Sequence, residues 1–206
     1  MQLFDISMTI SENMPVYNNQ EERKPKITVS RDFTSGNAFE SHIAMGMHTG
    51  THIDAPLHML PSGHTMEQYG LSRFINECTV LDLKHVNEKI TAGDLRGKHI
   101  RPDTFVLLKT KNSFVDGFDQ EFIYLAASGA EYLKELKVSG VGIDSLGIER
   151  SQPDHATHKI LFGGGIIILE GLRLSAVEEG IYQLIALPLK LHDTEAAPAR
   201  AILIKP

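Results

Sequence analysis

His48, His52, Asp54 and His58 all fall in the stretch His48-Thr49-Gly50-Thr51-His52-Ile53-Asp54-Ala55-Pro56-Leu57-His58. Imidazole nitrogens and carboxylate oxygens are ligands that zinc and related divalent ions take, at roughly 2.0–2.2 Å. Such ligands must converge on one point, and that limits the backbone. On a flat strand the Cα atoms of His48 and His52 would stand about 13 Å apart, at roughly 3.3 Å per residue. A helix would bring them together, but Thr49-Gly50-Thr51 is a poor helix interior. Gly50 instead predicts a tight bend that folds His48 back towards His52.

His52 and Asp54 are two apart, so on an extended segment they share a side. Pro56 keeps Ala55 out of helix and opens a short one, with His58 in its first turn. His58 then stands beside the cluster without being a ligand. It is placed to shuttle protons, since imidazole titrates near neutrality. The bland alternative makes Asp54 a helix cap and the histidines ordinary surface groups. The clustering of ligand types, with Gly and Pro where a bend and a helix start are needed, weighs against it.

Two later segments carry the same residue types. Asp154-His155-Ala156-Thr157-His158 sits on a predicted helix, where His155 and His158 share a face. Glu170 follows the apolar run Ile166-Ile167-Ile168-Leu169. A carboxylate there is costly to desolvate unless paired or metal-bound; a solvent-exposed strand end is the equal alternative. Gly163-Gly164-Gly165 lacks the spacing of a phosphate loop and reads as a helix stop. Ser128 and Ser145 lack the Gly-x-Ser-x-Gly context of a nucleophile elbow.

The elements that must position these groups can be placed in outline. Strands are expected over Gln2 to Ser7, Ile27 to Phe33, Phe39 to Met47, Thr79 to Leu83, Thr104 to Thr110, Val138 to Ile143, Ile166 to Leu169, Tyr182 to Leu189 and Ala201 to Ile204. Ser11 to Pro25 is polar and reads as a long loop. Thr65 to Phe74 is a short helix or turn. Thr91 caps a helix with Asp94, and Gly97 ends it. Ser128-Gly129-Ala130-Glu131 reads as a capping box that opens a helix through Lys137. Pro153 starts the helix that carries His158. Strands dominate the ends and helices alternate in the middle. The fold class is therefore α/β, with a mixed, partly antiparallel sheet and flanking helices.

Composition narrows the partners. The chain has 206 residues, which suits one domain over 1–206. Hydrophobic residues are 42% and charged residues 22%, ordinary for a soluble globule. The net charge is -6 and no Lys/Arg run with interleaved aromatics stands out, so nucleic acid is set aside as a partner. The longest apolar run, Gly163 to Leu169, is too short to span a bilayer, so no membrane partner is expected. The N-terminus lacks the pattern of a signal peptide. With Cys78 the single cysteine, a cytoplasmic protein is expected, and Cys78 reads as a buried strand thiol.

The segment His48 to His58 resembles the His-x-Gly-Thr-His-x-Asp-x-Pro-x-His signature of the cyclase-like metal-dependent hydrolases, a family that includes bacterial kynurenine formamidase and isatin hydrolase. Asp5-Ile6-Ser7, Gly142-Ile143-Asp144-Ser145 and the pair His158 and Glu170 extend the resemblance over most of the chain. It implies a swivelling β/β/α domain and a homodimer or homotetramer. It implies that His48, His52 and Asp54 hold one zinc, that Asp54, His158 and Glu170 hold a second, and that His58 is the proton donor and acceptor. Isatin hydrolase binds one manganese and has Gln in place of Glu170, so Glu170 favours two zinc ions. Ligand type alone leaves manganese open. The formamidase branch lines its pocket with a Trp. This chain has none, and Tyr17, in Met14-Pro15-Val16-Tyr17-Asn18-Asn19, takes the substrate-binding aromatic role. That difference argues against formylkynurenine itself.

The implied activity is hydrolysis of the C–N bond of a small amide, formamide or cyclic amide by a metal-activated water. The same centre could run towards ring closure. The alternative is a non-catalytic, metal-containing protein that binds a small molecule. A purely structural zinc is disfavoured, because such sites are usually closed and Cys-rich.

Overall fold

The structure is a computed structural model and describes residues 1–205. Its strands are β1 Gln2–Asp5, β2 Lys26–Arg31, β3 Glu40–Ala44, β4 His52–Asp54, β5 Ile75–Asp82, β6 Lys89–Ile90, β7 Phe105–Lys109, β8 Tyr124–Leu125, β9 Gly140–Ile143, β10 Ile167–Glu170, β11 Gly180–Pro188 and β12 Ala196–Lys205. The α-helices are α1 Ala92–Leu95, α2 Ala127–Glu135 and α3 Ala156–Gly163. Among the described residues no helix is long and apolar enough to cross a membrane.

The main sheet has eight strands in the order β1-β12-β11-β5-β7-β9-β10-β4, and β4 also pairs with β12. The sheet therefore closes on itself, with β1 as an appendage. Neighbours β5, β7, β9 and β10 run parallel; the other pairings are antiparallel. β12 makes closure possible by changing partners along its length. Residues Ala196, Ala197 and Pro198 pair with β4, while Ile202 to Lys205 pair with β1.

Alternation divides the strands between two cores. Phe105, Leu107, Ile167, Leu169, Leu184 and Leu203 point into the closed sheet. Val106, Leu108, Val141, Ile143 and Ile168 point outwards and are covered by Leu133 of α2 and by Leu161 and Phe162 of α3. The central strands are buried on both faces, and that is why they read as unbroken apolar runs. Cys78 lies fully buried in β5, as expected. β2 and β3 form a separate hairpin with every residue exposed.

Two helix starts differ from expectation. α2 begins at Ala127, so Ser128 lies inside the helix and caps nothing. Its first amide is met by Gln152, whose Oε1 accepts from Ala127 N at 3.0 Å. A side chain distant in sequence has replaced the local capping box. The helix from Pro153 is broken: Pro153–His155 is a single 3-10 turn, and Asp154 and His155 are left-handed (φ 56 and 51). α3 proper starts at Ala156, so His155 and His158 do not lie on one continuous helix.

Candidate metal centre

The centre lies on the outer face of the sheet, where β4 and β10 meet α3. Ile53 is wholly buried in the inner core. Its direction fixes those of its neighbours: His52 and Asp54 must face outwards, on the same side. The β4–β10 register then sets His52 directly across from Glu170, and Asp54 across from Ile168. His52, Asp54 and Glu170 are all buried. Gly50 has φ 69, the left-handed bend that returns His48 to the cluster. His48 Nδ1 lies 2.9 Å from Asp54 Oδ1. Pro56–His58 forms the expected short 3-10 turn, and the His58 ring centre is 4.1 Å from that of His48.

Glycine is also needed just past Glu170. Gly171 has φ 69, and a Cβ there would come within 2.3 Å of Gly50 O. The two turns that carry His52 and Glu170 thus touch backbone to backbone. Thr51 locks them: its hydroxyl donates to Gly171 O at 2.6 Å and accepts from Met8 N at 2.8 Å.

Each buried imidazole has one nitrogen committed and one free. His52 Nδ1 donates to Gly50 O at 2.8 Å. Its Nε2 lies 3.3 Å from both Asp54 Oδ1 and Glu170 Oε2. His158 Nδ1 donates to Glu149 Oε1 at 2.5 Å. Its Nε2 lies 3.5 Å from Asp54 Oδ2 and 3.6 Å from Glu170 Oε1. Glu170 Oε1 also accepts from Ile148 N at 2.6 Å.

Buried polar atoms are normally satisfied. Here Nε2 of His48, Nε2 of His52 and both carboxylate oxygens of Asp54 have no hydrogen-bond partner among the described residues. Ligand atoms of His52, Asp54 and Glu170 lie within 4.8 Å of one another, and so do those of His48, Asp54 and His58. Unpartnered oxygens and nitrogens aimed at common points, on residues that prefer zinc-type ions, fit divalent cations.

The electrostatics agree. Burial opposes a charged His52, yet the carboxylates of Asp54 and Glu170, 3.3 Å from its Nε2, push its pKa up to about 10. The same balance raises His158 well above its usual value. Burial also opposes ionised Asp54, but three imidazoles outweigh it and hold that carboxyl well below the usual range. The interior thus demands positive charge, and a proton on imidazole competes with a cation for it. His58 differs: burial lowers its pKa, and the pull of the Asp54 charge in the other direction does not reverse this. A neutral imidazole is the form that can accept a proton.

A cavity of about 280 Å³ opens onto the cluster, lined by Tyr17, Arg23, Met59, Leu146, Glu149 and Ser151 besides the histidines and Glu170. The structure therefore brings together His48, His52, Asp54, His58, His158 and Glu170, with Tyr17 on the cavity wall. The Tyr17 ring packs on Phe118 and Phe122, at 5.2 and 6.2 Å between centres. Three further groups were not singled out in the sequence. Glu149 is buried against His158. Glu195 Oε1 lies 3.5 Å from His48 Nε2. Arg23 stands at the cavity wall, in the stretch that reads only as a loop. None belongs to a short motif; a buried-acid signal exists only for Glu149, once the chain reversal at Asp154–His155 is known.

A closed mixed sheet with buried imidazoles and carboxylates converging beside a small cavity defines an α/β protein with a candidate metal centre. The chain belongs to the cyclase family: the Cyclase family model matches residues 4–150. It is 33% identical over 204 residues to a kynurenine formamidase of Erythrobacter litoralis, covering 98% of this chain and 93% of that one. A solved chain from Bacillus stearothermophilus, described as a predicted metal-dependent hydrolase, is 50% identical with a TM-score of 0.90, covering 98% and 97% of the two chains. Isatin hydrolase A of Labrenzia aggregata shares the fold at a TM-score of 0.84 and 22% identity, over 98% and 93% of the chains.

Proposed function

We propose that this chain is a metal-dependent hydrolase of non-peptide C–N bonds, acting on a small amide, formamide or cyclic amide, with aryl formamides as the first class to test. The observation that carries the proposal is the set of unpartnered buried ligand atoms on His48, His52 and Asp54, at the floor of a small-molecule cavity with His58 beside them. Support also comes from the relatives named kynurenine formamidase. Tyr17, in place of a Trp, argues for a substrate other than formylkynurenine.

His48, His52 and Asp54 would hold one ion, and Asp54, His158 and Glu170 a second; we favour zinc, with manganese the alternative. Bound there, divalent ions supply Lewis acidity and make water a nucleophile near neutral pH. The chain's own residues do the rest. The apolar faces of Tyr17, Met59 and Leu146 hold the organic part of the substrate and exclude bulk water. His58, with its lowered pKa, takes the proton of the attacking water at its ring nitrogen and returns it to the leaving nitrogen. Glu149 keeps His158 Nδ1 protonated, so that Nε2 faces Asp54 and Glu170.

We further propose that the whole chain is one swivelling-type domain, that the protein is cytoplasmic, and that it forms a homodimer or homotetramer. The exposed hairpin supports assembly: Ile27, Val29, Phe33, Phe39 and Ile43 are all exposed on or beside it, and a lone two-stranded hairpin is only marginally stable in water.

The test is metal analysis of protein purified without added ions, followed by a panel of N-formyl aromatic amines, cyclic imides and isatin. Turnover of at least one, abolished by chelation and restored by zinc or manganese, is expected. Metal retention with no turnover on any substrate would favour the non-catalytic binding protein.

A further inference from the structure

Arg23 differs from four other arginines in facing no carboxylate, and from Arg73, Arg96 and Arg173, which like it have no ion-pair partner among the described residues, in lining the metal-centre cavity. Arg31, Arg101, Arg150 and Arg200 each face a carboxylate: Glu40, Glu77, Glu121 and Asp5. The Arg23 guanidinium instead lies 6.0 Å from the centre of the Tyr17 ring. Among the described residues it has no ion-pair partner. It closes a short 3-10 turn, Glu21–Arg23, and lines the metal-centre cavity on the Tyr17 side.

Charge makes that position informative. The same cavity is lined by Glu149 and Glu170, with Asp54 beneath them, and Arg23 is the one Lys or Arg among its lining residues. The chain as a whole carries a net charge of -6. At the cavity mouth, away from the metal-ligand cluster, Arg23 is the lining side chain that offers a permanent positive charge to an approaching anion. A guanidinium offers a planar fork that matches a carboxylate with two parallel hydrogen bonds. The aromatic face beneath it steadies the fork without neutralising it.

Resting on the hydrolase reading, we propose that Arg23 is a specificity-determining residue that selects substrates carrying a carboxylate, distal to the scissile C–N bond. The reacting amide lies at the floor, by Asp54, Glu170 and His58. The ring or chain of the substrate lies against Tyr17. The carboxylate lies at the mouth and accepts from the Arg23 guanidinium. Fragments of this shape suit a cavity of about 280 Å³, which holds little more than one ring and its substituents.

The probes are formanilide and the 2-, 3- and 4-formamidobenzoates, assayed with zinc-loaded wild type, Arg23→Gln and Arg23→Lys. A second arm measures binding of the corresponding aminobenzoates and of aniline by calorimetry. In wild type at least one isomer should exceed formanilide in kcat/KM by about tenfold, mostly through KM, a value between an open-surface ion pair and a desolvated one. Arg23→Gln should cut that ratio to near one, and Arg23→Lys should restore part of it. An unchanged ratio in Arg23→Gln, or a wild type that prefers formanilide, overturns the assignment. Absence of any turnover sinks the hydrolase reading instead, and calorimetry then decides on Arg23 alone. Aminobenzoate binding about tenfold tighter to wild type than to Arg23→Gln supports the residue's role; equal affinities refute it.

Discussion

His158 Nδ1 and Glu149 Oε1 stand 2.5 Å apart, both residues buried, and this pair sets which nitrogen of His158 faces the centre. Glu149 is itself held: its Oε2 accepts from Thr157 N at 3.0 Å and from Gln152 Nε2 at 2.8 Å. The left-handed turn at Asp154 and His155 brings the chain back so that these groups meet. Carboxylates behind a metal-binding histidine fix its tautomer and raise its basicity, and losing one costs roughly 10–100-fold in metal affinity or activity. Glu149→Gln should therefore weaken zinc affinity by about that factor while the far-ultraviolet spectrum stays that of wild type. Equal zinc affinity in a competition titration would show that Glu149 merely packs.

His58 and His52 should separate cleanly. His58→Ala is expected to keep its metal and lose roughly 10²–10⁴-fold in kcat, the usual worth of a general acid–base group. His52→Ala is expected to lose metal outright, since its Nε2 is one of the unpartnered buried atoms. Because His58 also lies within ligand distance of His48 and Asp54, metal content is the deciding measurement. Metal loss in His58→Ala would make His58 a ligand and leave the proton carrier to be found elsewhere.

Much of this centre was legible in the sequence because it is local. Gly50 and Pro56 impose a bend and a turn by steric rules that hold in any context, and they sit between the side chains they arrange. Glu170 was readable as either buried or exposed; the β4–β10 register decided it by placing the residue opposite His52. The rest depends on contacts far apart in sequence. β4 has only three residues, too few for a periodicity to show. The closure of the sheet depends on β12 changing partners, which no local pattern encodes. The start of α2 is set by Gln152, and the direction of His158 by Glu149, each through a contact that only the folded chain creates.

Gly171→Ala should be severe. The residue has φ 69, strained for any side chain, and the new Cβ would meet Gly50 O at 2.3 Å. Left-handed strain alone costs on the order of 1–3 kcal/mol, and the clash must move one of the two turns that carry Glu170 and His52. A loss of roughly 3 kcal/mol or more is expected, with weakened metal binding in whatever folds. A denaturant midpoint equal to that of wild type would mean that the two turns can part freely.

The pH dependence of the metal-free protein follows from the charge balance in the centre. In the fold His52 has its pKa raised to about 10, against 6.5 for the free side chain, and His158 is raised as well. A base whose pKa is higher in the folded state stabilises that state fully below its unfolded pKa. That contribution disappears as pH rises through the folded value. Chelator-treated protein should therefore lose stability between about pH 6.5 and 10, because Asp54 and Glu170 are left facing each other without the neutralising protons. Divalent ions replace those protons and face less competition as pH rises. The increase in Tm on adding zinc should thus be larger at pH 8.5 than at pH 6.5, by at least about 3 °C, the scale of a 1 kcal/mol change in a chain of this size. Thermal melts with and without zinc across this range check the sign. An increment that shrinks with rising pH would show that the buried carboxylates do not recruit the cation.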